Sequence, residues 1–475
     1  MTADILWTAS EAAQATGGTA VGNWVTTGVS IDSRSCKAGD LFIAISGPNT
    51  DGHDYVADAL SRGCAAAVVC RHPEDVGGGA PLLIVDDTQT ALEKLGIAAR
   101  DRASARVLAI TGSVGKTGTK EALFKVLNNQ TSAHCSERSF NNQWGVPLSL
   151  ARMPQDTTFG IFELGMNHPG EIRELTRMVR PHVAVITTVQ AAHLEYFDSV
   201  ENIARAKAEI FEGVEHGGTA VLNRDNEHFD LLRSAAQEAG VGHVISFGMH
   251  EQADARAVDV ALHPDCSCIS AEICGQAITY KVGIPGRHWV INSLGVLATV
   301  KAVGADLGLA GLNLAELEAP EGRGSRTTVT TRDGSFSLID ESYNANPTSM
   351  QAALETLGLS GIGTRGRRIA ILGDMLELGG DATRFHQDLG PQLIDAGIDM
   401  VFTAGPNMAA LNQTLPPSMR GGHAESAQQL LELVVKSVHP GDAVMVKGSF
   451  GSRMGSVVEA LENMAEPQPP LAAEG

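Results

Sequence analysis

The feature that most constrains this chain is an apolar strand that runs directly into a glycine-rich loop and then into a helix. Residues 106–110 (RVLAI) read as the strand, and Ile110 stands where the standard phosphate loop has its first glycine. The loop residues are Thr111, Gly112, Ser113, Val114, Gly115, Lys116, Thr117 and Gly118. Glycines let backbone amides turn toward a phosphate, and the helix adds the positive end of its dipole. A tight turn that binds no ligand is the alternative. The pattern predicts nucleotide binding, in which Lys116 contacts the phosphates and the Thr117 hydroxyl binds Mg²⁺.

Short apolar strands alternate with amphipathic helices along the whole chain, which predicts an α/β fold with largely parallel sheets. The length of 475 residues suggests about three domains. We expect an N-terminal α/β domain (1–103), a central phosphate-loop domain (104–320) and a C-terminal Rossmann-like domain (321–465). We expect the Pro-containing tail, 466–475, to be disordered.

The composition excludes several classes of function. With 35 Lys and Arg against 55 Asp and Glu, the net charge is −20, which disfavours nucleic-acid binding. No apolar run reaches the roughly 18 residues of a membrane span, and no basic segment precedes an apolar one at the N-terminus. The seven cysteines are scattered, as is typical of reduced thiols. We therefore expect a cytoplasmic protein without a membrane span, acting as a monomer.

Two polar residues stand at the ends of neighbouring predicted strands in the central domain. Glu163 ends the strand 159–164, and His193 follows the strand 183–189. Open α/β sheets bind ligands at the carboxyl ends of their strands. Either residue alone could be a solvated loop residue, but beside a phosphate loop the two suggest divalent-metal ligands.

Lys207 lies on the apolar side of a predicted helix. Val200, Ile203, Lys207 and Ile210 are spaced by three, four and three residues, so the lysine shares the buried face. A lysine that extends its amine to solvent is one explanation. The other is a desolvated, reactive amine that takes up CO₂ and serves as a carbamate beside Mg²⁺. The sequence leaves both open.

Further polar clusters occur in the last 190 residues. Most follow predicted strands, and one pair, His288 and Asn292, lies four residues apart on a predicted helix. Each cluster alone more often stabilises a turn than binds a ligand, but their common position at strand ends favours a ligand-binding site. A Cys266-x-Cys268 pair near His263 lacks the second pair that a zinc site needs. The strand-end residues are Asp340, Tyr343, Asn344, Asn346, Asp374, Glu377, Lys447 and Ser449.

Together these motifs resemble the Mur ligases, ATP-dependent amide-forming enzymes of peptidoglycan synthesis, over nearly the whole chain. The N-terminal stretch 30–56 resembles the UDP-binding domain of that family. The other matching segments are TGSVGKT (111–117), NNQWGVP (141–147), ELGMN (163–167), the Lys207 helix, HxxxN (288–292), GR (322–323), IDESYNANPTSM (339–350), LGDMLELG (372–379) and VKGS (446–449).

The resemblance implies roles for individual residues. ATP would be held by residues 111–118, Asn292, Arg323 and Asp340, and two Mg²⁺ ions by Thr117, Glu163, His193 and a carbamate on Lys207. Lys116, Lys207, His193 and Glu163 would be catalytic. The UDP-sugar peptide and the incoming dipeptide would be bound by Ser33, Arg34, Asn141, Asn142, Tyr343, Asn346 and Lys447. Gln143 and Trp144 depart from the family pattern, which puts substrate contacts by those two side chains in doubt.

Within the family, the 141–147, 339–350 and 372–379 segments are most similar to the member that joins D-alanyl-D-alanine to UDP-N-acetylmuramoyl-tripeptide. The resemblance implies an acyl-phosphate intermediate. Another Mur ligase or a folylpolyglutamate synthetase-like enzyme is the nearest alternative, although the folate enzyme lacks a UDP-binding domain. A phosphate-loop switch or motor is a further alternative, but a GTPase would need an NKxD-type motif, which the sequence lacks. A nucleotide-binding module without activity would not need Glu163, His193 and Lys207.

Overall fold

The computed structural model describes residues 5–47, 49–137, 140–191 and 194–465. These residues form two compact units, one drawn from Met1–Thr187, Ala204–Asp254 and Gly295–Ala310, the other from Thr188–Ile203, Ala255–Leu294 and Gly311–Gly475. The tail that we predict to be disordered lies outside the described residues. The predicted α/β class is confirmed, while the domain boundaries at 103 and 320 stay predictions. None of the described helices has the length and apolar character that crossing a membrane requires.

The first third of the chain builds a five-stranded sheet in the order β2-β7-β6-β5-β4, parallel except for β2. Asp87 caps α3 by accepting a hydrogen bond from the Thr90 amide (2.7 Å). The elements are β1 (Trp7–Thr8), α1 (Ala9–Thr16), β2 (Thr19–Val21), β3 (Val25–Thr26), β4 (Gly28–Ser30), β5 (Asp40–Ile43), α2 (Val56–Ser61), β6 (Ala66–Val69), β7 (Leu82–Ile84) and α3 (Thr88–Arg102).

The middle of the chain contributes a parallel sheet to the first unit, in the order β13-β12-β11-β8-β10-β9. The second unit holds an antiparallel meander of β14, β15 and β16. The elements are β8 (Arg106–Thr111), α4 (Lys116–Asn128), β9 (Ala133–Cys135), α5 (Gly145–Ala151), β10 (Phe159–Glu163), α6 (Glu171–Val179), β11 (Val183–Ile186), α7 (Val200–Ala208), β12 (Thr219–Asn223), α8 (Phe229–Glu238), β13 (His243–Gly248), β14 (Ala255–Leu262), β15 (Ser267–Ile273), β16 (Gln276–Val282), α9 (Arg287–Val303) and α10 (Leu307–Leu314).

The last third builds a sheet in the order β17-β18-β22-β19-β20-β21, in which only the β17–β18 pair is antiparallel. One apolar cluster packs α11, α13 and α14 against the sheet and a second packs α15 and α16. The elements are β17 (Ser325–Thr331), β18 (Gly334–Glu341), α11 (Pro347–Gly358), β19 (Arg368–Gly373), α12 (Ala382–Gln387), α13 (Leu389–Asp395), β20 (Met400–Ala404), α14 (Met408–Thr414), β21 (Arg420–Ala424), α15 (Ala427–Ser437), β22 (Ala443–Lys447) and α16 (Gly455–Glu462).

The N-terminal sheet and helix α5 share one buried hydrophobic cluster. Leu148 and Ala151 of α5 belong to the same buried cluster as the apolar residues around the N-terminal sheet. The Trp7 indole nitrogen donates to the Ala151 carbonyl (2.9 Å), and Arg100 Nε donates to the Val179 carbonyl (2.9 Å). The N-terminal sheet and its helices are therefore fastened to α5 and α6 by apolar packing and by buried hydrogen bonds.

We expect Leu148→Ala to lower the free energy of unfolding by roughly 2–5 kcal/mol, because it opens a cavity in this shared core. Urea unfolding followed by circular dichroism measures the change. Leu312→Ala, at a side chain that is 70% exposed, is the matched control and should change the free energy by no more than about 0.5 kcal/mol. Equal effects of the two substitutions would contradict a shared core.

Candidate active site

The phosphate loop joins the carboxyl end of β8 to the first turn of α4. Gly112 (φ 151°) and Gly115 (φ 86°) adopt positive φ angles that side chains disfavour, and Gly115 caps α4. Lys116 Nζ donates to the Gly112 carbonyl oxygen at 2.7 Å, so the lysine folds back over its own loop. The first amides of α4 lack helical partners and can bind an anion there. This geometry fits the phosphates of a nucleotide.

Glu163 lies beside the loop, at the end of β10, and is only 1% exposed. One carboxylate oxygen accepts a hydrogen bond from the Thr117 hydroxyl (2.8 Å), and the other accepts one from the Asn141 amide (2.8 Å). The register pairs Glu163 with Ile110 across the sheet, which brings the strand end and the loop together. A carboxylate and a hydroxyl oxygen at this spacing are donors of the kind that Mg²⁺ prefers. The predicted pair Thr117 and Glu163 is thus brought together.

Thr187 and Asn223 support the loop, and sequence reasoning missed both. The Thr187 hydroxyl donates to the Val114 carbonyl (2.6 Å), and Asn223 Nδ2 donates to the Thr187 carbonyl (3.0 Å). Thr187 directly follows β11 and Asn223 ends β12. The same strand-end rule that selects Glu163 would have found them, because they stand at the same edge of the sheet.

Lys207 is 2% exposed in α7, as its spacing predicts. Burial, and after it the positive charge of Lys116, lower the pKa of the Lys207 amine well below its usual value. No hydrogen bond or ion pair joins this amine to any residue in the part of the chain that the structure describes. The predicted metal ligand His193 lies outside the described residues. A buried amine next to a phosphate-loop lysine fits a neutral, reactive group.

Lys120 is a second buried lysine, and the sequence analysis did not select it. It stands one turn after Lys116 on α4 and is fully buried. Its amine donates to the Ser136 carbonyl (2.5 Å), while the Ser136 hydroxyl accepts a hydrogen bond from the Glu163 amide (3.3 Å). Lys120 shares a helical stripe with Leu123 and Leu127, so the spacing rule that found Lys207 applies here as well. The lysine ties α4 to the segment beside Glu163.

The predicted UDP-binding residues follow β4 in the N-terminal sheet. Ser33 is 5% exposed, whereas the side chain of Arg34 is 86% exposed. Arg34 makes a bidentate pair with Asp32 (2.9 and 2.8 Å), and this hydrogen bonding lowers the pKa of the Asp32 carboxyl. A guanidinium at the carboxyl edge of a parallel sheet is well placed for a phosphate, and its ligand stays a prediction.

In the second unit, Arg323, Tyr343 and Phe450 form an aromatic and cationic surface. The Arg323 guanidinium lies 4.3 Å from the centre of the Tyr343 ring, whose centre is 5.9 Å from that of Phe450. The Phe450 side chain is 76% exposed. A flat base can stack on such groups. The structure therefore brings together two of the predicted C-terminal site residues, Arg323 and Tyr343.

Several other predicted site residues have partners within the fold. Lys447 is buried, and its amine donates to Glu341 Oε2 and to the Asn344 carbonyl (both 3.0 Å). The Asn346 side chain caps α11 by accepting from the Ser349 amide (2.9 Å). The Asn142 side chain accepts from the Gly145 amide at the start of α5 (2.9 Å). Their ligand roles stay predictions beside these structural ones.

The remaining predicted residues are placed as follows. Asp340, in β18, accepts from the Ser342 amide (2.9 Å). Asn292 lies half-buried on α9, one turn after His288, and burial lowers the pKa of the His288 imidazole. Cys266 is buried and Cys268 is exposed. The described residues contain no group of three or more His, Cys, Asp or Glu side chains that could hold a metal.

Family models match three consecutive parts of the chain. Residues 25–100 match the Mur ligase family catalytic domain, 110–300 the Mur ligase middle domain, and 325–450 the Mur ligase glutamate ligase domain. The chain belongs to the Mur ligase family.

Individual Mur ligases are similar to this chain over its length. UDP-N-acetylmuramoyl-tripeptide–D-alanyl-D-alanine ligase of Rickettsia prowazekii is 33% identical over 91% of this chain and 94% of its own. The crystal structure of MurF from Acinetobacter baumannii is 29% identical, with a TM-score of 0.82 over 96% and 99% of the two chains. MurF from Thermotoga maritima, in complex with ADP, is 26% identical, with a TM-score of 0.74 over 92% and 97%. The three-domain Mur ligase architecture predicted from the sequence is thereby confirmed.

We expect Lys116→Ala to weaken ATP binding by at least about tenfold, because a charged donor to the phosphates is lost. Isothermal titration calorimetry with ATP and Mg²⁺ measures the affinity. Lys125→Ala, which removes a lysine from the same helix away from the loop, is the control and should bind ATP as the unaltered protein does. An unchanged affinity for Lys116→Ala would contradict the placement of the phosphates.

Proposed function

We propose that this Mur ligase joins D-alanyl-D-alanine to the free carboxylate of UDP-N-acetylmuramoyl-tripeptide in the cytoplasm, at the expense of ATP. The products are ADP, phosphate and the pentapeptide precursor of peptidoglycan. The observation that carries the proposal is a phosphate loop with a buried Glu163 in a chain similar to ligases of this activity over about nine-tenths of its length. The fold, shared with solved MurF structures, supports the same assignment.

Bringing two anions together is the physical problem of the first half-reaction. The γ-phosphoryl group of ATP passes to the tripeptide carboxylate and gives an acyl phosphate and ADP. Lys116 and the first amides of α4 place positive charge where the phosphates lie, which lowers the barrier to the transfer. Thr117 and Glu163 would hold Mg²⁺, which supplies further neutralisation of the phosphate oxygens.

The buried amine of Lys207 fits a carbamate. A neutral amine adds to CO₂, forms a nitrogen–carbon bond and releases one proton. The product is a carboxylate-like group where a charged lysine would be costly to bury. With His193, this group would hold the second Mg²⁺. The depressed pKa of Lys207 supports the step, because it raises the share of neutral amine near neutral pH.

In the second half-reaction the dipeptide amine attacks the acyl phosphate, and a tetrahedral intermediate expels phosphate. Because water would hydrolyse the acyl phosphate, the site must exclude it while the amine binds. Asn292, Arg323 and Asp340 are proposed to bind the nucleotide. Tyr343, Asn346 and Lys447 are proposed for the nucleotide or dipeptide side of the site.

Phosphate release tests the reaction. We expect release from ATP to require both UDP-N-acetylmuramoyl-tripeptide and D-alanyl-D-alanine, with the pentapeptide seen by mass spectrometry. The tripeptide is offered with either diaminopimelate or lysine at its third position. If the enzyme used a different amine, it would still be a Mur ligase, but one that catalyses a different step of peptidoglycan synthesis. ATP hydrolysis that needs neither substrate would favour a switch or motor.

We expect Lys207→Ala to lower turnover by at least about a hundredfold, because a metal-binding carboxylate is lost. Short carboxylates such as acetate or propionate should restore part of the activity, which a merely structural lysine would not allow. The measurement is phosphate release with and without the added acid. Lys125→Ala, treated in the same way, is the control. Full activity of Lys207→Ala would exclude the carbamate.

A further inference from the structure

Cys36 and Cys64 come together in the N-terminal part of the first unit, although they are far apart in the sequence. Cys36 lies in the crossover that joins β4 to β5, and Cys64 lies two residues before β6 begins. Cys64 is buried in an apolar cluster with Phe42 and Val56, and Cys36 packs half-buried against the same cluster. The fold therefore brings one accessible and one buried thiol to the same place.

Backbone hydrogen bonds hold the two turns that carry these cysteines against each other. The Gly39 amide donates to the Gly63 carbonyl (2.9 Å), and the Ala65 amide donates to the Asp40 carbonyl (2.8 Å). The turns approach so closely that a Cβ atom added at Gly63 would lie 3.3 Å from the Cβ atom of Ala38. The residues on both sides of the buried cysteine are thus fastened to the crossover that carries its partner.

The two thiols interact directly. Burial, and after it a hydrogen bond with the Cys36 thiol, raise the pKa of the Cys64 thiol. Cys64 therefore keeps its proton, while the half-buried Cys36 is the sulfur that a small oxidant reaches first. Oxidation-sensitive sites in proteins often pair an accessible cysteine with a second cysteine that resolves the oxidised sulfur.

We propose that Cys36 and Cys64 form a redox pair, which closes to a disulfide under hydrogen peroxide and weakens binding of the UDP-sugar substrate. The Cys36 sulfur attacks one peroxide oxygen, the O–O bond breaks, and the departing hydroxide takes the thiol proton and leaves as water. The Cys64 sulfur then attacks the sulfenic acid sulfur, the S–O bond breaks, and the second hydroxide leaves as water with the Cys64 proton. The two thiols together lose two electrons, and the peroxide is reduced.

The disulfide acts on the segment that carries Ser33 and Arg34, because Cys36 follows Arg34 by two residues. A disulfide holds its sulfurs about 2.05 Å apart, which is closer than two thiols in noncovalent contact approach each other. Bond closure therefore pulls the crossover toward the start of β6 and displaces Ser33 and Arg34. This consequence rests on the function proposed above, in which these two residues bind the UDP group.

Peptide mapping of the full chain without reduction tests for the disulfide. The protein is treated with hydrogen peroxide, its free thiols are blocked with iodoacetamide, and trypsin should release peptide 35–37 joined to peptide 63–71. Since peptide 63–71 also contains Cys70, at the opposite end of β6, fragmentation assigns the bond to one cysteine. We expect a Cys36–Cys64 bond at least about tenfold more abundant than any linkage of the exposed Cys268. Absence of this bond, or a bond to Cys70, would overturn the proposal.

Calorimetry with UDP-N-acetylmuramoyl-tripeptide tests the consequence for binding. We expect peroxide to lower the affinity by at least about tenfold, because a charged contact is displaced, and dithiothreitol to restore it. Cys36→Ser should bind as the untreated protein does and lose the peroxide effect, whereas Cys268→Ser, the matched control, should respond as the unaltered chain does.

Two outcomes of the binding measurement would overturn the proposal. One is an unchanged affinity of the cross-linked protein, and the other is an equal effect of peroxide on Cys36→Ser. Failure of the untreated protein to bind the tripeptide would instead count against the proposed function, since the disulfide is measured independently of any substrate.

Discussion

The buried carboxylate of Glu163 is the group on which the central site depends. Two hydrogen bonds, from the Thr117 hydroxyl and the Asn141 amide, satisfy one oxygen each, and a third, from the Glu163 backbone amide to Ser136, fixes the strand end. A buried charge without such partners would be costly. Helix α4, strand β10, Ser136 and Asn141 are thus held in mutual positions by one residue. The same oxygens are those that a divalent cation would share.

The two buried lysines of the first unit differ in what surrounds them. Lys120 donates to a carbonyl and pairs with Glu121 at 2.7 Å, so its charge is compensated and its role is to fasten α4. At Lys207, burial and the positive charge of Lys116 both disfavour the protonated form of the amine. Since the charged form of lysine is costly to bury without a partner, burial without such compensation favours the free amine at Lys207. Lys120 and Lys207 therefore occupy similar positions on their helices but differ in the groups that surround the amine.

The sequence best predicts those features that depend on residues close together in the chain. The strand–loop–helix around Gly112 and Gly115 and the position of Lys207 on the apolar face of its helix follow from local spacing. The strand ends were less exact, since the strand predicted over 183–189 ends at Ile186 in the structure. Thr187, Asn223 and Lys120 carry the same local signals, but their contacts join residues far apart in the sequence, which spacing alone does not state. The contact between Cys36 and Cys64 likewise depends on which strands are neighbours, which no local pattern states.

The hydrophobic cluster around Trp7 and Leu148 also bears on the distance between the Ser33 edge and the phosphate loop. Because the N-terminal sheet packs on helix α5 through one apolar cluster, packing within the first unit sets the span from the Ser33 edge to Lys116. A ligand anchored at one end and reacting at the other must then match that span. If the UDP group binds at the Ser33 edge, as the sequence predicts, that span sets the peptide length with which a UDP-linked substrate can bring its carboxylate to the phosphate loop.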